Sequence, residues 1–516
     1  MKLNYAKTIE KWDVLEVTVS GPKEGNPFCD QWIKGIFCCK NEKKTVDGFY
    51  DGDGVYKIRF MPSFIDEYTF EIEASFDVKA GEEDNAENAA AGSFTVTSPS
   101  ADNHGPVRVV GTYYLAYEDG TPYHCIGTTC YVWNLQNEEL QRQTLKTLEE
   151  NAFNKIRFCI FPKHYDYNLH EPITYPYEGT PCDTSELNEN NFAEYNGCAP
   201  GNDWDFTRFN PAHFQHIEEC IKKLMALGIQ ADLIVMHPYD RWGFSMMKAE
   251  DDDRYWKYVL ARFSAYRNVW WSLANEYDLM HEKTLADWER YAAIICEKDP
   301  YHHLRSIHNC KAYYDYNLPW VTHCSIQRTE TYRSSELVNE WREKYHKPVV
   351  LDEICYEGNI QFGWGNISGE EMTRRFWEAF CRGGYPGHGE TYLSPDRILW
   401  WSHGGVLHGT SPERIKFLAK IMEETPGLGV EPMPCKWDEV ACRAAGFPAR
   451  KDYFIYYYTF MRPSFRDFYF DDTTEYQVEI IDTWEMTITD GGIHKGQFRV
   501  QLPGKEYIAV RIKAVK

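Results

Sequence analysis

The sequence lacks the segments that would place the protein in or across a membrane. No run of 18 apolar residues occurs, so no segment is predicted to cross a bilayer. The stretch MKLNYAKTIEKWDVLEV contains no apolar run followed by a small-residue cleavage site, so no secretory signal is predicted. None of the 16 cysteines are spaced as C-x-x-C. These features together predict a cytoplasmic protein with reduced thiols.

Common cofactor and metal motifs are also missing. The sequence has no G-x-G-x-x-G after a strand, no G-x-S-x-G, and no H-x-H or H-E-x-x-H among its 17 histidines. We therefore expect no dinucleotide site, no serine nucleophile of the hydrolase type, no metal and no cofactor. The formal net charge of −23 repels phosphate backbones and anionic lipids, so neither nucleic acid nor a membrane is expected as a partner. The oligomeric state stays open.

Aromatic residues are abundant, with 17 Trp and 36 Tyr. Buried aromatic side chains stabilise a large core, and exposed ones can stack on flat ligands such as sugar rings. The composition is therefore compatible with a carbohydrate site but does not require one.

The pattern along the chain indicates three regions. Residues 1–100 contain short alternating segments such as KWDVLEVTV and EYTFEIEA, which are typical of a β-sandwich. Within them, DGDG at 51–54 favours a hairpin turn over a calcium loop, since the EF-hand glutamate is missing. Residues 101–430 alternate strands with helices, and residues 431–516 return to β patterns. We predict that the last region is a second sandwich, which braces the middle region or, as the alternative, binds sugar.

The middle region carries eight short apolar segments that are predicted to be strands. Eight strands with interleaved helices over about 300 residues predict a (β/α)8 TIM barrel. An open doubly wound sheet is the alternative, but it lacks its dinucleotide motif. The predicted strands are 123–131, 153–161, 229–237, 269–275, 303–309, 320–327, 347–355 and 387–393.

Two of these strands end in a glutamate. Functional residues of such barrels lie at the carboxyl ends of the strands, where Glu276 follows VWWSLAN and Glu353 ends KPVVLDE. Either one alone could be a solvated strand end or an ion-pair partner, but strands four and seven face each other across the barrel mouth. Paired carboxylates suit glycoside hydrolysis, in which one gives a proton and the other attacks the anomeric carbon. Arg157, at the end of strand two, would keep one of them ionised or form a structural ion pair.

The Asn275-Glu276 pair after strand four, with Glu353 on strand seven, resembles the clan A retaining glycoside hydrolases, the "4/7" superfamily. The family-5-like and apiosidase-like branches are the most similar. DGTPYHCIGTT (119–129) is similar to their first-strand entry. The segments NPF, GFYDGDG and IRFMP resemble the small sandwich that precedes such barrels, and the C-terminal region resembles a β-domain appended to some of them.

The resemblance implies roles for individual residues. Glu276 would be the general acid/base and Glu353 the nucleophile, while Asn275 would bind the sugar 2-hydroxyl. Trp401 would be the stacking platform, with Trp400 as the alternative. The tyrosine that many relatives place beside the nucleophile from strand six has no clear counterpart, since this strand is followed only by Tyr332. The substrate-binding candidates are Asn275, Arg157, His237, His308, His323, Gln327, Trp401 and His403.

The sequence thus predicts a retaining glycoside hydrolase that acts on β-linked oligosaccharides or glycosides. Retention requires the two carboxyl groups to lie about 5–5.5 Å apart. Exo action is expected, because the long segment 162–206 could close a pocket around one chain end. A sugar-binding barrel without catalysis is the alternative.

Overall fold

The computed structural model describes residues 3–78, 90–394, 399–434 and 439–515. The N-terminal region forms one sheet of five strands and one of three. Phe37 of the larger sheet stacks on Phe60 of the smaller one with 4.2 Å between ring centres, so the two sheets share one core. Its strands are Thr8–Glu10, Leu15–Ser20, Ile33–Cys38, Lys43–Asp47, Phe49–Tyr50, Val55–Phe60, Glu67–Ala74 and Ala91–Thr97.

The central region contains a barrel-like sheet of eight parallel strands. We number them barrel strands 1 to 8 along the chain, and their order in the sheet is 5-4-3-2-1-8-7-6. A parallel bridge between His308 and Ser325 links the two outer strands, so the barrel is nearly closed. In chain order they are Gly127–Thr129, Lys155–Cys159, Gln230–Met236, Val269–Ala274, Arg305–Ser306, Cys324–Gln327, Val349–Glu353 and Tyr385–His388.

Helices connect most of the barrel strands, although residues 307–323 between strands 5 and 6 contain none. Local sequence sets several helix starts, as in the capping box formed by Thr284 and Asp287. The α-helices of the described residues are Pro27–Asp30, Glu138–Glu150, Pro211–Ala226, Ala249–Phe263, Leu285–Lys298, Val338–Tyr345, Gly369–Cys381, Trp400–His403 and Ser411–Glu423. None of them is both long and apolar enough to cross a bilayer.

The predicted position of the eighth strand was wrong. The strand spans Tyr385–His388, while Glu390–Thr391 pairs instead with Glu357–Gly358. A Cβ on Gly387 would lie 2.6 Å from the carbonyl oxygen of Leu351. At Gly387 the backbone therefore packs closely against barrel strand 7. A search for apolar side chains does not detect a strand that packs in this way.

Charged residues fill the barrel interior below the carboxyl ends of the strands. The Lys155 ammonium lies 2.7 Å from a carboxylate oxygen of both Asp232 and Asp352. Arg157 lies 3.9 Å from the same two carboxylates. Lys155 and Arg157 hold the pKa of Asp352 well below its usual range, against the effect of burial. This network fixes Arg157 directly below Glu353, the residue that follows Asp352.

The N-terminal region is joined to the barrel by a buried ion network. Arg59 donates to Glu218 at 2.9 Å, and Arg262 donates to Glu218 at 2.7 Å and to Asp51 at 2.7 Å. All four side chains are buried, so each charge depends on its partners for compensation.

Replacing Glu218 by alanine is expected to lower the free energy of unfolding by about 3–5 kcal/mol, because it leaves two buried guanidinium groups undercompensated. Denaturant unfolding of the whole chain measures this. The control is Glu219→Ala, which removes an exposed ion pair with Lys222 and should cost about 0–1 kcal/mol. Equal effects of the two substitutions would contradict the structural role of the network.

The C-terminal region forms a sheet of six strands and one of two. It packs on the outside of the barrel, where Tyr457 lies 5.7 Å from Trp377 between ring centres and Arg414 donates to the carbonyl oxygen of Trp484 at 3.1 Å. Its strands are Val430–Pro432, Val440–Ala444, Tyr453–Tyr457, Phe465–Tyr469, Tyr476–Asp482, Thr487–His494, Gln497–Gln501 and Ile508–Ala514. Three strand pairs remain: Val107–Val110 with Tyr114–Tyr117, Tyr177–Thr180 with Asp203–Phe209, and the pair at Glu357 described above.

Candidate active site

Glu276 and Glu353 line one pocket at the carboxyl ends of barrel strands 4 and 7. Each of the two residues is only 6% exposed. Glu276 has a backbone φ of +51°, a left-handed conformation that is uncommon outside glycine. Backbone strain of this kind clusters at functional sites, where the surrounding structure holds it in place.

Glu353 is surrounded by donors from other strands. Tyr131, two residues beyond barrel strand 1, donates its hydroxyl to Glu353 Oε1. Arg157 Nη1 lies 3.5 Å from the same oxygen, and His308 Nε2 lies 3.8 Å from it. These contacts favour an anionic carboxylate at Glu353.

Glu276 has a separate set of donors. Tyr239 donates its hydroxyl to Oε2, and Gln327 donates to Oε1 at 3.0 Å. Asn275 donates to Oε2 at 3.2 Å, while its own carbonyl oxygen accepts from Arg157 at 3.0 Å. Asn275 therefore connects the groups around the two glutamates.

The two carboxyl groups share an electrostatic environment. Burial and then the charge of Glu276 raise the pKa of Glu353 to about 7, although Arg157 and Tyr131 act in the opposite direction. The Glu353 carboxyl therefore loses its proton only near neutral pH, where it becomes an anion that could act as a nucleophile.

Aromatic side chains form the walls of the pocket, which encloses about 60 Å³. Trp401 packs edge-on against Tyr131 and Tyr165, with 5.6 and 5.4 Å between ring centres. Trp400 points away and donates to Thr128 at 2.8 Å. The full lining is Tyr131, Lys163, Tyr165, Tyr239, Glu276, Gln327, Thr329, Glu353, Tyr356, Trp364 and Trp401.

Six of the predicted site residues do not line this pocket. Asn275, Arg157 and His308 nevertheless contact its two glutamates. The other three are histidines. His237 contacts the carbonyl oxygen of Phe161 at 3.3 Å, and burial lowers its pKa to about 3. His323 precedes barrel strand 6 and packs on Trp270, which places it toward the amino ends of the strands. His403 contacts Asn168 at 3.0 Å and lines a neighbouring cavity of about 640 Å³. Neither His237 nor His323 is placed to touch a sugar held between the glutamates.

Several pocket residues were missed from the sequence. Tyr131 and Tyr239 lie two and three residues beyond barrel strands 1 and 3. Tyr131 is the last residue of the strand predicted at 123–131, and Tyr239 lies two residues beyond the strand predicted at 229–237. Tyr332 is 80% exposed, so the tyrosine beside Glu353 comes from the first strand rather than the sixth. The final residue of the first predicted strand and the second residue after the third one are therefore the sequence signals for the two tyrosines. The other residues missed are Lys163, Tyr165, Thr329, Tyr356 and Trp364.

No group of three or more His, Cys, Asp or Glu side chains within the described ranges could hold a metal ion. All 15 cysteines in those ranges are free thiols.

Comparison with protein families assigns each region of the chain. Residues 110–426 match the family described as "Apiosidase-like, catalytic domain". Residues 8–75 and 437–513 match two domains of unknown function, DUF5060 and DUF5605. No protein of curated function matches the chain.

Solved structures give a consistent result. A candidate glycoside hydrolase from Bacteroides vulgatus ATCC 8482 is 38% identical, and the match covers 99% of this chain and 100% of that one with a TM-score of 0.88. A glycoside hydrolase family 5 protein from the same organism is 16% identical, with 80% of this chain and 93% of that one covered and a TM-score of 0.59. The second match is evidence of a shared fold alone.

Proposed function

Because the chain belongs to the apiosidase-like family and is a glycosidase, we propose that it hydrolyses glycosides by double displacement, with retention of configuration. The observation that carries this proposal is the placement of Glu276 and Glu353 in one pocket, each with its own donors. In the first step Glu276 protonates the glycosidic oxygen while Glu353 attacks the anomeric carbon. The leaving group departs as an alcohol, and a covalent glycosyl-enzyme remains.

In the second step Glu276 acts as a base. It takes a proton from water, which attacks the anomeric carbon and releases Glu353. The cation of Arg157, 3.5 Å from Glu353, supports the assignment of the negative charge, and so of the nucleophile role, to Glu353. We expect a separation of about 5–5.5 Å between the two carboxyl groups.

Asn275 is positioned to contribute a transition-state contact. Its amide is held by Arg157 and lies between the two glutamates, where the sugar 2-hydroxyl would bind. Such a hydrogen bond strengthens as charge develops on the sugar ring. Gln327 and Trp401, which also line the pocket, would bind the same sugar, and His308 would hold the backbone and carboxylate beside it.

We further propose that the enzyme acts at chain ends of β-linked oligosaccharides or glycosides. The walls of the pocket favour a single terminal residue over a chain that runs through it. Lys163 and Tyr165, from the start of the segment 162–206, form part of the wall. Incubation with an oligosaccharide series should release only the terminal sugar. Internal cleavage products would contradict exo action but not the proposed chemistry.

We also propose a division of the chain into three domains. It consists of a closed (β/α)8 barrel at 101–430 between β-sandwich domains at 1–100 and 431–516. The six-stranded and two-stranded sheets of the last region support it. A cytoplasmic location stays a prediction that cell fractionation would test.

A further inference from the structure

Lys163 places an ammonium group inside the candidate active site. The residue follows barrel strand 2, and only 2% of it is exposed. It lines the pocket together with Glu276 and Glu353. Within the described residues its ammonium makes no hydrogen bond or ion pair, so rings rather than carboxylates surround it.

Four aromatic rings form this cage. The ammonium nitrogen lies 3.6 Å from the ring centre of Tyr131 and 4.4 Å from that of Tyr239. Trp401 and Tyr165 complete the cage at 4.4 and 5.0 Å. Cation–π contacts with desolvated rings are attractive, which partly offsets the cost of burying the charge.

Two of these rings belong to the tyrosines that hydrogen-bond the glutamates. Tyr131 donates to Glu353, and Tyr239 donates to Glu276. A cation against the face of a phenol draws electron density from the ring and makes its hydroxyl a stronger donor. One ammonium group therefore contacts both of the phenols on which the two carboxylates depend.

We propose that Lys163 is a positioning residue that acts through Tyr131 and Tyr239 on both carboxylates, and that its charge balances the negative charge of the pair. The inference rests on the proposed function. A neutral side chain could fill the space that Lys163 occupies. A positioning role explains why a buried lysine without a carboxylate partner lies there instead.

The charges around Lys163 are consistent with this role. Burial lowers the pKa of Lys163 to about 8, while Cys159, Glu276 and Glu353 act to raise it and Arg157 acts to lower it. The cation of Lys163 in turn lowers the pKa of Glu353. The titratable groups facing the ammonium are thus Cys159, Glu276, Glu353, Arg157 and the phenols Tyr131, Tyr165 and Tyr239.

The test replaces Lys163 by methionine, which has a similar length and no charge. We expect kcat to fall roughly 10- to 100-fold while KM changes less. Without the cation the pKa of Glu353 rises, so the rise of activity at low pH, where Glu353 ionises, should move upward by about 0.5–1 pH unit. In Lys163→Arg the charge remains, so the pH profile should stay in place even if the larger side chain lowers the rate. Lys347→Met, at a half-buried lysine that donates to two backbone carbonyls, is the matched control.

A mutant cycle tests the route through the tyrosines. In the Tyr131→Phe/Tyr239→Phe background, Lys163→Met should lower kcat much less than it does in the wild type. The reason is that the two hydroxyls through which Lys163 acts are gone. Additive effects, an unshifted pH profile, or a change confined to KM would each overturn the proposal. Full activity of the Glu276 and Glu353 variants would instead overturn the proposed function, so the two failures can be distinguished.

Discussion

Glu353→Ala is expected to lower kcat/KM by a factor on the order of 10⁴ or more, because no glycosyl-enzyme can form without the nucleophile. Removing one of two mutually repelling buried carboxyls should leave the melting temperature nearly unchanged. Steady-state hydrolysis of an aryl glycoside measures the rate, and thermal unfolding measures the stability. Glu340→Ala, at an exposed glutamate, serves as the control.

Azide should restore activity to the Glu353→Ala variant. The small anion fits the space left by the carboxylate and attacks the anomeric carbon directly, so it gives a glycosyl azide of inverted configuration. Rescue with retained configuration, or wild-type turnover without azide, would contradict the nucleophile assignment. A loss of activity that accompanies a large fall in melting temperature would show that Glu353 has a structural role instead.

The loss of kcat/KM caused by Glu276→Gln is expected to depend on the leaving group of the substrate. For alkyl glycosides, which need a proton on the departing oxygen, kcat/KM should fall by about 10²–10⁴-fold. For nitrophenyl glycosides, whose leaving groups depart as stable anions, the first step should change far less. Comparing kcat/KM across leaving groups of different pKa measures this. Equal losses for both classes would contradict the acid role.

The same variant should change the pH profile. In the wild type Glu353 ionises as the pH rises through about 7, so activity should rise there as the nucleophile becomes an anion. The charge of Glu276 is one cause of the raised pKa of Glu353, so a neutral glutamine lets that pKa fall. With a nitrophenyl glycoside, Glu276→Gln should therefore reach its full activity at lower pH than the wild type.

The position of the two glutamates could be predicted because it depends on simple features. Strand 4, VWWSLA, is followed two residues later by Glu276, and strand 7, VVLDE, ends at Glu353. In a parallel barrel all carboxyl ends open at one face, so a residue's place at a strand end is enough to bring Glu276 and Glu353 into the same pocket. No details of side-chain packing are needed for this step.

The histidines were harder to place because buried parallel strands carry no alternating pattern. The strand predicted at 320–327 begins at Cys324, so His323 precedes it and lies far from the carboxyl end where it was expected. A boundary error of a few residues moves a side chain from one end of the barrel to the other.

The roles of Lys163, Tyr131 and Tyr239 in the pocket could not be predicted, for a different reason. They lie on loops beyond the strands, where the backbone path decides which side chains face inward. Their importance depends on contacts between residues far apart in sequence, such as that between Tyr131 and Glu353. No periodicity in the sequence reports such contacts, although the abundance of tyrosine and tryptophan is compatible with them.

The configuration of the first-formed product tests the central claim most directly. Proton NMR during hydrolysis of a β-glycoside distinguishes the anomers before they interconvert. Double displacement at Glu353 predicts that the released sugar first appears as the β-anomer. First appearance of the α-anomer would contradict the two-step mechanism and the assignment of Glu276 and Glu353.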